Sequence, residues 1–276
     1  MKSKARNGSR NFPARPFLWL VRSIVKRTPF LRRAVVDLFE NIYYDSPEST
    51  WNNTYWFGVR CNKYPTDLFV YQEILFANKP DVIIETGTLD GGSAFYLACV
   101  LDLIGHGRVI SIDVQHREGR PRHDRITYIT GSSTAPSTIA QLEPLLCSGE
   151  RRMVILDSDH SKAHVEQELD IYSPYVTKGQ YLIVEDSSVN GHPVLAKFGP
   201  GPFEAVQAFL KSNDGFVVDK GMEKFLLTAN HNGNLRRVRN PEQVQEQSLA
   251  ATAGDNAPRQ ANDVPGSARD PIIATP

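Results

Sequence analysis

The chain has 276 residues, 41% of them hydrophobic, which suffices for one large or two small packed domains. Three distant cysteines (Cys61, Cys99, Cys147) with no CxxC pair exclude a disulfide framework and a cysteine zinc site, and no apolar run nears the ~18–20 residues of a membrane span. The 31 basic and 31 acidic residues cancel, but residues 1–36 hold ten Lys or Arg and no acid, leaving a body with 21 basic and 31 acidic residues. A cytoplasmic protein with no nucleic-acid partner is expected from free thiols and an acidic body.

Residues 1–15 are polar and basic and read as disordered. Phe17, Leu20, Val21, Ile24 and Val25 then recur at helical spacing, with Arg22, Lys26 and Arg27 on other faces. A basic amphipathic helix carrying a Trp (Trp19) lies on an anionic membrane surface or packs on its own domain or a second subunit, so peripheral membrane contact through 16–36 and a homo-oligomer are both expectations. Residues 37–65 are rich in aromatics, among them Tyr43, Tyr44, Trp51, Trp56 and Tyr64. They read as an arm tucked on the core or a lid over a site, so 16–66 is taken as an N-terminal arm and 67–239 as the main domain.

A helix is expected over 68–78, ended before Pro80. Asp81-Val-Ile-Ile-Glu85-Thr-Gly87-Thr88-Leu-Asp-Gly91-Gly92-Ser93 follows, and then an apolar helical pattern to Ile104. This is strand, glycine turn, helix, a place where the backbone approaches a ligand at a helix N-terminus. The spacing G-x-x-x-G-G lacks the G-x-G-x-x-G dinucleotide fingerprint. The next strand ends in Asp113, where a carboxylate holds a ribose hydroxyl pair or merely closes a turn. A third strand over 126–130 leads to Gly131 and Ser132, with Ser133 or Thr134 expected to cap a helix reaching Leu146.

Two apolar runs then end in acids: Val154-Ile-Leu-Asp157-Ser-Asp159-His160 and Tyr181-Leu-Ile-Val-Glu185-Asp186. One crossover helix separates them, so they read as neighbouring parallel strands whose C-terminal ends share one edge, the ligand edge of an open α/β sheet. Clustered carboxylates need a proton or a cation among them, and oxygen ligands favour magnesium. His160 and His164, four apart, are expected on one helix face, with His160 placed as a general base beside the acids. After the polar segment Asn190-Gly191-His192-Pro193 and Gly199-Pro-Gly-Pro202, a helix over 203–211 and two closing strands over 216–219 and 225–228 are expected. From Asn240 to the end the chain lacks aromatics and reads as a disordered tail.

Five α/β strand units and a final antiparallel pair describe a class I S-adenosylmethionine methyltransferase sheet: α/β, Rossmann-like, seven-stranded and mostly parallel, with helices on both faces. The motifs Ile84-Glu-Thr-Gly-Thr…Gly-Gly-Ser93, Leu156-Asp-Ser-Asp-His160, Tyr181-Leu-Ile-Val-Glu-Asp186, Asn190-Gly and Gly199-Pro-Gly-Pro202 resemble the cephalosporin hydroxylase / rhamnosyl O-methyltransferase family over residues 56–237. The resemblance implies an S-adenosylmethionine-dependent, magnesium-dependent O-methyltransferase. By position, Glu85, Gly87, Thr88, Gly91 and Ser93 fall in the motif around the methionine part of S-adenosylmethionine, Asp113 at the ribose, and Gly131 and Ser132 at the adenine. Asp157, Glu185 and Asp186 fall at the magnesium ligands, with Asp159 an alternative to Asp157. The implied acceptor is a hydroxyl of a sugar-bearing natural product, glycolipid or polysaccharide. Two other readings stay open: an NAD(P)-dependent oxidoreductase, disfavoured by the missing fingerprint, and a non-catalytic methyltransferase-like binding module.

Overall fold

The computed structural model of the protein describes residues 15–48 and 50–240. The disorder expected for 1–15 and 240–276 lies outside them except at Arg15, which opens the first helix instead, and at Asn240. Two helices lead the chain, α1 (Arg15–Arg27) and α2 (Pro29–Tyr44), followed by a small hairpin of β1 (Tyr55–Trp56) and β2 (Val59–Arg60). Helix α3 is Pro65–Asn78, a turn longer at its start than periodicity indicates. Pro65 fits the first turn because its missing N–H would have no partner there, and the added turn buries Asp67.

The main sheet contains β3 (Val82–Thr86), β4 (Arg108–Asp113), β5 (Ile126–Thr130), β6 (Arg152–Leu156), β7 (Tyr181–Val184), β8 (Phe216–Val218) and β9 (Asn234–Arg237). Its order is β5-β4-β3-β6-β7-β9-β8, with the first five strands parallel and β9 antiparallel to both β7 and β8. The crossovers carry α4 (Gly92–Ile104), α5 (Pro136–Leu142) and α6 (Lys162–Tyr172), and α7 (Pro202–Ser212) precedes β8.

Both faces of the sheet are covered, which explains why its strands are continuous apolar runs rather than alternating ones. Ile83, Val109, Met153, Ile155 and Ile183 point to the layer of α3 and α4. Their neighbours Val82, Ile84, Ile110, Val154, Leu156 and Val184 point to the layer of α6 and α7.

Two elements differ from expectation. The second closing strand is Asn234–Arg237, and 225–228 is irregular. Phe225 and Leu226 are exposed, whereas Asn234 and Arg237 are buried polar residues that conceal the strand from a hydrophobic reading. Arg237 reaches its burial by donating Nη1 to Ser173 O at 2.6 Å and lying over the Phe216 ring. The helix expected to run to Leu146 is α5 alone plus a 3-10 turn, and its cap residue is Ala135 with Pro136 in the first turn. Proline's fixed φ starts this helix without a side-chain cap.

The sheet register sets the site. Thr86 pairs with Ile112 and with Leu156, and Leu156 with Val184. Four adjacent strands therefore end level, and the next residues, Gly87, Asp113, Asp157 and Glu185, share one edge.

Candidate active site

A cavity of about 640 Å³ opens at that edge, within the range of small-molecule sites. Gly87, Asp113, Ser132, Asp157, His160, Glu185 and Asp186 all line it. Glu85, Thr88, Gly91, Ser93 and Gly131 do not. They stand behind the wall, and their contacts show why the motif needs them.

Glu85 is fully buried beside Ser111, its register partner, whose Oγ donates to Glu85 Oε2 at 2.6 Å. Burial raises the Glu85 pKa, against the pull of Lys63 and the hydroxyls of Ser111 and Ser93. Thr88 Oγ1 joins the same group, 2.7 Å from Ser111 Oγ. The glycines make room for other protein atoms. A Cβ on Gly87, where φ is 88°, would stand 1.7 Å from the Asp157 carbonyl oxygen. A Cβ on Gly131 would stand 2.2 Å from Thr138 Oγ1. Gly91, at φ 84°, caps α4.

Asp113 organises this wall. Its Oδ2 accepts from the backbone N–H of Thr88 at 3.1 Å and Leu89 at 2.7 Å, and meets Arg120 Nη2 at 3.0 Å. Its Oδ1 accepts from Gln115 N at 2.8 Å. A carboxylate has about four lone-pair sites, so Oδ1 keeps one for a ligand hydroxyl.

The opposite wall is built from charged side chains. Asp157 and Glu185 are bridged by Lys63, which ion-pairs with both, at 2.6 Å to Glu185 Oε2. Tyr71 donates to Glu185 Oε1 at 2.7 Å, and Asn230 Nδ2 donates to Tyr71 Oη at 3.1 Å. Burial raises the pKa of both acids; each is also raised by a neighbouring carboxylate and lowered by Lys63. Burial alone would discharge Lys63, but Asp157, Glu185 and Glu85 together hold its pKa well above the ordinary lysine value. The cation that the clustered acids demand is thus partly supplied by the protein. Lys63 lies in the aromatic arm with no pattern around it, and a buried lysine is written in sequence like any surface one.

Asp186 breaks from the strand with φ 53°, a left-handed conformation that costs about 1 kcal/mol or more in a non-glycine residue. Consecutive residues of a strand point to opposite faces; this turn instead brings Asp186 into the cavity next to Glu185. There Asp157, His160 and Asp186 each offer a ligand atom within 4.8 Å of the others. Glu185, expected with them, has its oxygens on Lys63 and Tyr71. Asp159 is exposed and accepts from Ser161 N at 2.7 Å, so its carboxyl serves the turn into α6.

His160 is not on a helix: α6 starts at Lys162, after Ser161. The two histidines therefore diverge rather than share a helix face. His160 Nε2 lies 3.0 Å from Asp186 Oδ2, while His164 Nε2 sits 3.1 Å from both Ser133 Oγ and Ser158 Oγ. Burial pulls the His160 pKa down, but Asp186 and Asp157 outweigh it and the net shift is upward.

The aromatic segment contributes to both core and cavity. Tyr44 and Trp51 stack at 5.1 Å and 2° on the cavity wall, whereas Trp56 packs edge-on against Tyr96 in the α4 layer. Phe198, Leu195 and Val189 from the segment after β7 close another side.

Level parallel strands, a glycine turn with an acid on the next strand, and an antiparallel closing pair define the Rossmann-like methyltransferase class. Two solved CmcI structures share this fold, an apo form at TM-score 0.53 and a Mg–SAM form at 0.52. Each is 22% identical; the likeness covers 68% of this chain and 77% and 78% of theirs. Residues 48–238 match the family described as Rhamnosyl O-methyltransferase/CmcI, and the chain belongs to that family. The rhamnosyl O-methyltransferase of Mycobacterium leprae is 39% identical over 210 residues, 74% of this chain and 91% of that one. That of Mycobacterium tuberculosis is 40% identical over 181 residues, 64% and 73% of the respective chains.

Proposed function

We propose that the protein is a magnesium-dependent O-methyltransferase that takes its methyl group from S-adenosylmethionine and places it on a hydroxyl of a sugar-bearing small molecule or glycan. The observation that carries this is a single cavity with two unlike walls, in a chain of this family. The name of its relatives makes a rhamnosyl group the first acceptor to try.

The Asp113 wall suits the methyl donor. Asp113 Oδ1 would take a ribose hydroxyl on its remaining lone pair, Ser132 would face the adenine, and the turn from Gly87 would face the methionine part; what supports this is that all three line one cavity. Glu85, Thr88 and Ser93 brace that turn from behind. The Asp157–Asp186 pair suits magnesium, a hard cation held through one or two carboxylates with water filling the rest of its shell. Glu185 would join them by giving up or sharing Lys63. When bound, the metal would lower the pKa of an acceptor hydroxyl.

His160, whose Nε2 is held 3.0 Å from Asp186 Oδ2, accepts that hydroxyl's proton. The acceptor oxygen forms its bond to the methyl carbon as the carbon–sulfur bond breaks. S-adenosylhomocysteine leaves with a neutral sulfur, and the proton passes from His160 to solvent. Much of the acceleration comes from holding the two reactants in line. Tyr44, Trp51 and Phe198, which line the cavity, are the side chains that would enclose the acceptor.

We place the protein in the cytoplasm, in keeping with its free cysteines. Transfer of labelled methyl from S-adenosylmethionine to rhamnosyl-bearing acceptors, with magnesium and with EDTA, tests the reading. Full turnover in EDTA would remove the metal's role. Calorimetric binding of NAD but not S-adenosylhomocysteine would replace the reading with the oxidoreductase.

A further inference from the structure

Helix α2 is packed inside out. Its most buried contact with the body is a charged one, Glu40 Oε2 2.8 Å from His231 Nε2, with Tyr43 packed edge-on against Tyr64 beside it. Its remaining acid, Asp37, is occupied by Arg33 at 2.7 Å. The apolar residues Val35, Leu38, Phe39 and Ile42 fall within about 100° of one another at 100° per residue, and all are exposed by more than half. Helix α1 repeats the pattern with Leu20, Val21 and Ile24 in an exposed stripe and Trp19 68% exposed. Ordinary surface helices bury the apolar stripe and expose the charges. A run of this size left in water marks a surface made for another apolar phase.

The charge on the same helices selects the partner. Residues 1–36 carry ten cations and no acid. Of those described, Arg22, Lys26, Arg27 and Arg32 have no ion-pair partner among the described residues. By helical position Arg27 stands about 20° from Leu20 at the edge of the α1 stripe, where a long cationic side chain reaches up from an apolar layer to a polar boundary, and Arg22 and Lys26 stand on the polar face behind it. Pairing this face with its copy would bring like charges together. No described helix is long and apolar enough to cross a membrane, so the arm lies along its partner rather than through it.

We propose that α1 and α2 form a docking surface for an anionic lipid membrane, with the apolar stripes entering the acyl boundary and the cations meeting lipid phosphates. Shallow insertion of this kind is driven by buried apolar area and electrostatic attraction together. It is independent of the methyl-transfer reading, because no residue of the two stripes lines the cavity.

The test is co-sedimentation of the full chain with phosphatidylcholine vesicles, neat or containing about 30% phosphatidylglycerol, at low and high salt. The expected result is binding to the anionic vesicles that is at least tenfold stronger than to neutral ones and weakens with salt. Leu20→Glu/Ile24→Glu and Leu38→Glu/Ile42→Glu should each lower it by at least tenfold, with an unchanged circular dichroism spectrum and melting temperature as the check on folding. Arg22→Gln/Lys26→Gln/Arg27→Gln should lower it by on the order of a hundredfold, about fivefold per cation. Failure of the parent chain to bind anionic vesicles at low salt would overturn the proposal. So would sedimentation velocity showing an oligomer that the Glu variants dissolve while vesicle binding is unaffected, since a second copy would then cover the face.

Discussion

The two walls of the cavity are made of different materials. On the Asp113 side, one carboxylate gathers three backbone N–H groups and an arginine, and the glycine turn is locked against the Asp157 carbonyl. On the Asp157 side, a buried lysine stands among acids whose protonation burial favours. Backbone donors fixed by a sheet edge cost little to keep in place. Buried charges are costly to desolvate and are tolerated because each compensates another. The first wall is therefore fixed by the sheet edge, whereas the second keeps its charges only while they compensate one another.

The sharpest break in that contrast should come from Asp157→Ala. If Asp157 holds the metal as proposed, methyl transfer should fall by on the order of 10³-fold or more, while S-adenosylhomocysteine affinity stays within about tenfold in calorimetry. A parallel collapse of donor binding would show that the walls are not separate. Lys63→Met should cost about 3–5 kcal/mol of stability in urea unfolding, because two buried acids lose their shared cation. Adding Glu185→Gln should restore part of it; no recovery would mean that Lys63 acts by packing.

His160→Asn should lower kcat by about 10²–10⁴-fold with little change in donor affinity. Asp113→Asn should do the reverse, weakening the donor by about tenfold or more, since hydrogen bonds to a charged group contribute about 1.5–3 kcal/mol. Its kcat at saturating donor should stay near the parent value.

The smallest effect concerns the segment that closes the cavity. Burial opposes ionisation of Glu204, but bonds from Gly201 N–H, His192 and Asn190 prevail and lower its pKa to about 2. A depressed carboxyl stabilises the fold above its unfolded pKa, and that contribution disappears as pH falls from about 4.5 toward 2. For a partly exposed group it is on the order of 1 kcal/mol. Acid titration of parent and Glu204→Gln should converge below that window; curves that stay parallel would reject the assignment.

The sequence by itself determined the five parallel strands and the position of their ligand edge. Runs such as Val82–Thr86 and Tyr181–Val184 are apolar on both faces, and only a parallel sheet covered on two sides buries them that way. Once those runs are strands, the acids that end them must meet, so Asp113, Asp157, Glu185 and Asp186 were legible. Tertiary structure alone decided what those acids touch. Lys63, Tyr71 and Asn230 come from three separate segments and carry no periodicity. The left-handed turn at Asp186 and the start of α6 after His160 depend on a few dihedrals that local composition leaves free. Strand β9 was hidden for the same reason: its buried Arg237 meets Ser173 and the Phe216 ring only after folding, and a pattern of hydrophobicity cannot record a polar side chain whose burial is compensated from afar.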